Sequence, residues 1–160
     1  MIILGIDPGL VKTGYGLIQV ENNNYRILDF GIITPNNKEK LSFRLRTIYN
    51  DVSVIIDQFN PNILSIEEVF FGKNVKSALL LGHARGVAML CASNKNIPVF
   101  EYSARKIKQS ITGNGNAHKS QVKYMVMKQL NLDNIDCPTD ASDALAIALC
   151  HLNQIKLEEL

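Results

Sequence analysis

Apolar positions arrive first as one short block, Ile2–Ile6, which stops at Asp7-Pro8-Gly9. A brief apolar run closed by Pro-Gly predicts a buried strand feeding a turn. Gly14–Val20 and Tyr25–Thr34 predict two more strands, parted by the turn Glu21-Asn22-Asn23-Asn24. The first three strands then make an antiparallel meander. The period changes next: Leu41, Leu45, Ile48, Val52, Ile55 and Phe59 recur at intervals of three and four, which predicts an amphipathic helix. Asn60-Pro61 ends it, because a residue before proline is pushed out of helical geometry.

Ile63–Val69 predicts a fourth strand, carrying Glu67 and Glu68. Val75–Asn94 predicts a second helix with the small residues Ala78, Gly82 and Gly86. Pro98–Tyr102 is a fifth strand, and Ser103 is placed to cap a helix over Ala104–Ile111. Helices near Lys119–Leu130 and from Thr139 to about Ile155 follow the loop Gly113-Asn114-Gly115-Asn116. The order β-β-β-α-β-α-β-α-α-α gives an α/β class, a five-stranded mixed sheet covered by helices.

Composition narrows the setting. The chain has 160 residues, 46% of them hydrophobic, which suits one domain spanning 1–160, since compact domains cluster at about 100–150 residues. Three scattered cysteines, Cys91, Cys137 and Cys150, have no metal-ligand spacing and suit a reducing cytoplasm. The opening apolar run lacks a basic flank, so no signal peptide is expected. No apolar stretch is expected to approach the ~20 residues of a membrane helix. A net charge of +2 permits nucleic-acid binding without announcing it.

The candidate chemistry lies in the acids. Asp7 closes an apolar strand, and Glu67 lies within or at the end of another. Asp140 and Asp143 are three apart at the start of the last helix, so they share a face. Four carboxylates at one end of a sheet would attract a hard divalent cation, and Mg²⁺ takes oxygen ligands of this kind together with substrate phosphate. Each acid also has an ordinary explanation: Asp before Pro-Gly forms turns, one of Glu67 and Glu68 faces away from the other, and Asp140 suits a helix start. The combination is much less easily accidental, and it points to a divalent-metal site.

Gly5-Ile6-Asp7-Pro8-Gly9, Thr13-Gly14-Tyr15-Gly16 and Ile66-Glu67-Glu68-Val69-Phe70 resemble the RuvC family of bacterial Holliday junction resolvases. So do Ala84-Arg85-Gly86-Val87-Ala88, Glu101-Tyr102, Lys119-Ser120-Gln121-Val122 and Asp140-Ala141-Ser142-Asp143-Ala144-Leu145-Ala146. The resemblance covers nearly the whole chain. It implies an RNase H-like fold and a homodimer in which the Val75–Asn94 helix pairs with its copy. It also implies two Mg²⁺ ions per active site, with Mn²⁺ as substitute, held by Asp7, Glu67, Asp140 and Asp143. The activity it implies is paired symmetrical nicking of four-way DNA junctions in recombination and repair, alongside the RuvA–RuvB branch-migration complex.

Phe70 would stack on an unpaired base, and Lys108 and Lys119 would lie near the scissile strand. Lys73, Lys76, Arg105 and Lys106 are further candidates for phosphate contacts. Lys123 and Lys128 fit a solvated helix face equally well. His83, His118 and His151 have no spacing that would make them ligands. Gly113–Ser120 is no P-loop, because His118 stands where glycine should precede Lys-Ser. Two other functions compete. An actin-like or sugar-kinase ATPase also opens on strand, aspartate and glycine turn, but needs a second domain. A non-catalytic junction-binding module would be expected to lack at least one of the four acids.

Overall fold

The computed structural model describes residues 1–22, 24–69, 74–132 and 135–158, with side chains described to residue 156. Its elements follow the expected order: β1 (Ile2–Asp7), β2 (Thr13–Glu21), β3 (Asn24–Ile33), α1 (Leu41–Phe59), β4 (Ile63–Glu67), α2 (Val75–Asn94), β5 (Val99–Tyr102), α3 (Ala104–Thr112), α4 (Lys119–Gln129) and α5 (Thr139–Glu158). The five strands form one sheet in the order β3-β2-β1-β4-β5. The first three are antiparallel neighbours, while β4 and β5 run parallel to β1. Two boundaries differ from expectation by more than one residue. β4 stops at Glu67 rather than Val69, because its last partner, Tyr102, ends β5. α5 runs past Ile155 to Glu158.

Helices cover both faces, as period-two alternation along the central strands requires. Leu4, Ile6, Leu17, Leu64 and Ile66 point to a core shared with α1 and α2. Ile3 and Ile18 point the other way, to a core built with α3, α4 and α5. In α5 every residue from Ala144 to Leu152 is buried, as expected of a helix with apolar character all round. Its alanines make it thin enough to rest on the sheet backbone. A Cβ at Gly5 would run into the Ala144 carbonyl and the Ala148 main chain, and one at Gly14 into the Asp140 carbonyl. Two glycines therefore set how closely the start of α5 approaches the ends of β1 and β2.

α2 corrects one expectation. By length and composition, Val75–Asn94 is apolar enough to cross a membrane. Its leucines, valines and alanines raise its hydropathy despite Lys76, His83 and Arg85. Ala84, Ala88, Cys91 and Ala92 are buried, whereas Val75, Leu79 and Leu90 are more than half exposed. The apolar character is thus divided between a packed face and an open one.

Candidate metal centre

Strand parity brings the first two acids together. Asp7 and Glu67 lie one residue beyond Ile6 and Ile66, which pair with each other and face α1 and α2. The acids therefore face α5, side by side at the carboxyl ends of neighbouring strands. Asp140 and Asp143 reach the same end from the first turns of α5. Glu68 is exposed, which settles which of the two adjacent glutamates turns inward.

The other three acids are close enough to Asp7 to oppose its ionisation. Burial raises Asp7 from 3.8 to about 7, with the charges of Asp143, Glu67 and Asp140 pushing the same way and Lys119 pushing back. Glu67 is raised as well, first by burial and then by Asp143, with Lys119 and Lys108 opposing. Lys119, at the start of α4, lies 3.5 Å from Asp143 Oδ2, and the charge of Asp143 raises its own pKa. Among the described residues no three carboxylate, imidazole or thiol groups already form a cage for one ion. They form instead a group of like charges with too little positive charge to balance it. That donor set fits a hard divalent cation, completed by water and phosphate oxygens.

Glu67, Lys108, Lys119 and Asp143 line a cavity of about 160 Å³ floored by Ile107, Val122 and Ile147. Two of the expected basic residues thus stand at the acids. Lys76, in the first turn of α2, and Arg105 are exposed and do not line this cavity; the Arg105 stem lies over Gly115. Lys106 is exposed too. Lys123 donates to the Cys137 carbonyl at 2.8 Å, a structural bond just ahead of α5. Phe70, Phe71 and Lys73 lie outside the described residues.

The histidines have other work. His118 caps α4, its N–H donating to Gln121 Oε1 at 3.0 Å while its Nδ1 receives the Ser120 N–H, a capping-box pattern. His83 Nδ1 lies 2.6 Å from the Leu79 carbonyl on its own helix. His151 is buried, with Nδ1 2.6 Å from the Tyr102 hydroxyl.

Three residues to which sequence reasoning gave no role hold the site's main chain. Thr13 is fully buried; its hydroxyl donates to the Gly9 carbonyl at 2.7 Å and accepts the Gly9 N–H at 3.2 Å. This closes the turn after Asp7. Arg44, from α1, donates to the Leu10 carbonyl at 2.6 Å. Arg85, from α2, donates to the Glu67 carbonyl at 3.0 Å. The sequence signals for Arg85 were its place in the motif Ala84-Arg85-Gly86-Val87-Ala88 and its standing as a lone charge among apolar and small residues.

Lys119→Met is expected to raise the titration of Asp7 and Glu67 further, since Lys119 is a cation that lowers both. Carboxyl NMR titration of the metal-free protein checks the direction. Unchanged titration would separate Lys119 from the acids.

The family model described as "Crossover junction endodeoxyribonuclease RuvC" matches residues 3–151. The chain is similar to the protein of that name from Alkaliphilus oremlandii, 49% identical over 160 residues, covering 100% of this chain and 98% of the relative. Among solved structures it is similar to Thermus thermophilus RuvC, with TM-score 0.90 and 31% identity, covering 99% of this chain and 97% of that one. It is also similar to T. thermophilus RuvC in complex with Holliday junction substrate, with TM-score 0.91 and 31% identity, covering 99% and 96%.

Proposed function

Because the chain belongs to the RuvC family of crossover junction endodeoxyribonucleases, we propose that Asp7, Glu67, Asp140 and Asp143 are the metal ligands with which it cuts DNA. The activity itself is that of a Holliday junction resolvase, which we read as paired nicking of four-way junctions that leaves 5′-phosphate and 3′-hydroxyl ends. One observation carries the assignment of residues: Asp7 is driven to about 7 by burial and by the other three acids. Such a group is costly to keep ionised without a cation.

We read the cofactor as Mg²⁺, two ions per site, with Mn²⁺ able to replace it. Bound there, the ions would supply an activated water and a positive clamp on the scissile phosphate. The protein's own part is to hold the acids ionised and aimed. Asp7, with Glu67 on the neighbouring strand and Asp140 and Asp143 on α5 around it, would be the central one of the residues holding the ions. Lys119 and Lys108, which line the cavity with Glu67 and Asp143, offer charge to the phosphate. Arg105 and Lys76 lie farther out and fit backbone contacts that position DNA without reading sequence. Phe70 follows the site directly in sequence, and we assign it stacking on an unpaired junction base.

Two symmetrical nicks need two like sites, so we infer a homodimer. Its natural surface is the open apolar face of α2 around Val75 and Leu79, where no atom lies within 4 Å of a Cβ at Gly82 or Gly86. That face is read as covered by a second copy rather than by a membrane. We take 1–160 as one nuclease domain, acting in the cytoplasm with the RuvA–RuvB branch-migration complex. Leu79→Glu should turn a dimer into a monomer in sedimentation and abolish paired nicking; a dimer persisting in this variant would move the interface elsewhere.

The deciding experiment is cleavage of a labelled four-way junction beside linear duplex, with Mg²⁺ and with EDTA. Paired nicks confined to the junction and dependent on metal are expected. Tight junction binding without cleavage in Mg²⁺ or Mn²⁺ would refute the assignment.

A further inference from the structure

The main-chain carbonyl of Glu67 sits where regular sheet pairing runs out. Leu64 and Glu68 turn their N–H groups to β5, reaching the Pro98 and Tyr102 carbonyls. Main-chain groups alternate sides along a strand, so those of Ser65 and Glu67 turn to β1. The register sets Ile6 beside Ile66, hence Asp7 beside Glu67. The donor that would continue the ladder to the Glu67 carbonyl is the N–H of residue 8. That residue is proline, which has none.

Arg85 fills the gap. Its Nε donates to the Glu67 carbonyl at 3.0 Å, and its terminal nitrogen forms an ion pair with Glu101 on β5. The Arg85 side chain is 18% exposed and that of Glu101 42%, so the guanidinium is largely enclosed while its partner meets solvent. An ion pair of that kind contributes little by itself. The planar fork, however, can bond a carbonyl through Nε while its other end is held by a carboxylate. A lysine ammonium cannot reproduce both.

We propose that Arg85 is a positioning residue for Glu67. Its guanidinium replaces the ladder donor that Pro8 cannot supply, fixes the end of β4, and so fixes the direction of the Glu67 carboxylate. Glu101 holds the guanidinium in place. Because Arg85 springs from α2, any displacement of that helix reaches Glu67 through one side chain. The inference rests on the reading of Glu67 as a metal ligand.

Its test uses the full chain with Arg85→Ala, Arg85→Lys and Glu101→Gln, and Glu67→Gln as reference. Four quantities are measured: Mn²⁺ binding without DNA, single-turnover junction cleavage at saturating protein, junction affinity in Ca²⁺, and thermal melting. Arg85→Ala should weaken Mn²⁺ binding several-fold and slow cleavage about 10–100-fold, the range for groups that orient metal ligands. Junction affinity should stay within about two-fold, consistent with a role in aiming a ligand rather than in binding DNA. Arg85→Lys should behave like the alanine variant, and Glu101→Gln should show a smaller loss of the same kind. If Arg85→Ala fails to melt cooperatively, the lysine and Glu101 variants decide.

Wild-type metal binding in a folded Arg85→Ala, full rescue by lysine, or a rate loss matched by lost junction affinity would each overturn the proposal. Intact Mn²⁺ binding and cleavage in Glu67→Gln would instead overturn the reading of Glu67. Loss of both in Glu67→Gln, with Arg85 variants like wild type, would sink the positioning role alone.

Discussion

Asp7→Asn is expected to abolish junction cleavage and, at the same time, to make the metal-free protein more stable at pH 8. The two effects have one cause. Asp7 titrates near 7 in the fold against 3.8 for an ordinary aspartate. Between about pH 4 and pH 7 the folded chain keeps a proton that the unfolded chain has released. The contribution of Asp7 to stability is therefore greatest below pH 4 and is lost as pH rises to 7, by at most about 1.4 kcal/mol per pH unit. Above pH 7 the ionised Asp7 is a standing liability that asparagine removes. The variant should gain about 1–3 kcal/mol at pH 8 in EDTA, roughly 3–10 °C in melting temperature for a chain of this size. The gap should narrow as pH falls from 7 and close only below about pH 4, where folded and unfolded chains both carry the proton. Mg²⁺ should raise the melting temperature of the wild type and leave the variant little changed. Cleavage should fall at least about 10³-fold, equivalent to ~4 kcal/mol of transition-state stabilisation. A variant that melts below wild type in EDTA at pH 8 would mean that Asp7 is structurally satisfied and the centre lies elsewhere.

The legible part of this fold is whatever repeats locally. α1 was readable from intervals of three and four, and its bounds, Leu41–Phe59, match those of the pattern. β1 to β3 were readable because Pro-Gly and Asn-rich turns cut alternating runs. The end of β4 was misplaced by two residues because Val69 continues the apolar run, while the true limit is set by β5, thirty-odd residues away. The central position of β1, between β2 and β4, likewise depends on long-range pairing that no local period encodes.

The site divides along the same line. Asp7 and Glu67 stood out because an acid at the end of an apolar run is locally anomalous, and Asp140 and Asp143 because their spacing shares a helix face. Family resemblance then tied the four together. Arg44, Arg85 and Thr13 act through main-chain carbonyls, and a carbonyl acceptor leaves no mark on the acceptor's residue type. Pro8 was visible as a turn former; that it withholds a ladder donor from Glu67 became visible only with the register. The apolar character of α2 was underestimated because its alanines read as packing residues, although they also count towards hydropathy.

The second large effect should come from two glycines that touch no substrate. Gly14→Ala and Gly5→Ala are expected to fail in different ways, and the difference tests whether the seating of α5 sets the acid constellation. At Gly14 the new Cβ meets the carbonyl of Asp140, in the first turn of α5. A helix end can yield, so the stability cost should be moderate, about 1–3 kcal/mol. The movement carries Asp140 and Asp143 away from Asp7, however, and a displacement of about 1 Å at reacting groups can cost 10²-fold in rate. At Gly5 the Cβ meets the Ala144 carbonyl and the Ala148 main chain, inside a stretch of α5 buried on every side. Nothing there can move cheaply, so overpacking should cost about 3 kcal/mol or more. Urea unfolding beside junction cleavage separates the cases. Gly14→Ala should lose far more activity than stability, and Gly5→Ala should lose stability first. Equal cleavage by wild type and a folded Gly14→Ala would show that the acids tolerate a displaced α5, and that the metal ions, rather than the glycine seat, draw the constellation together.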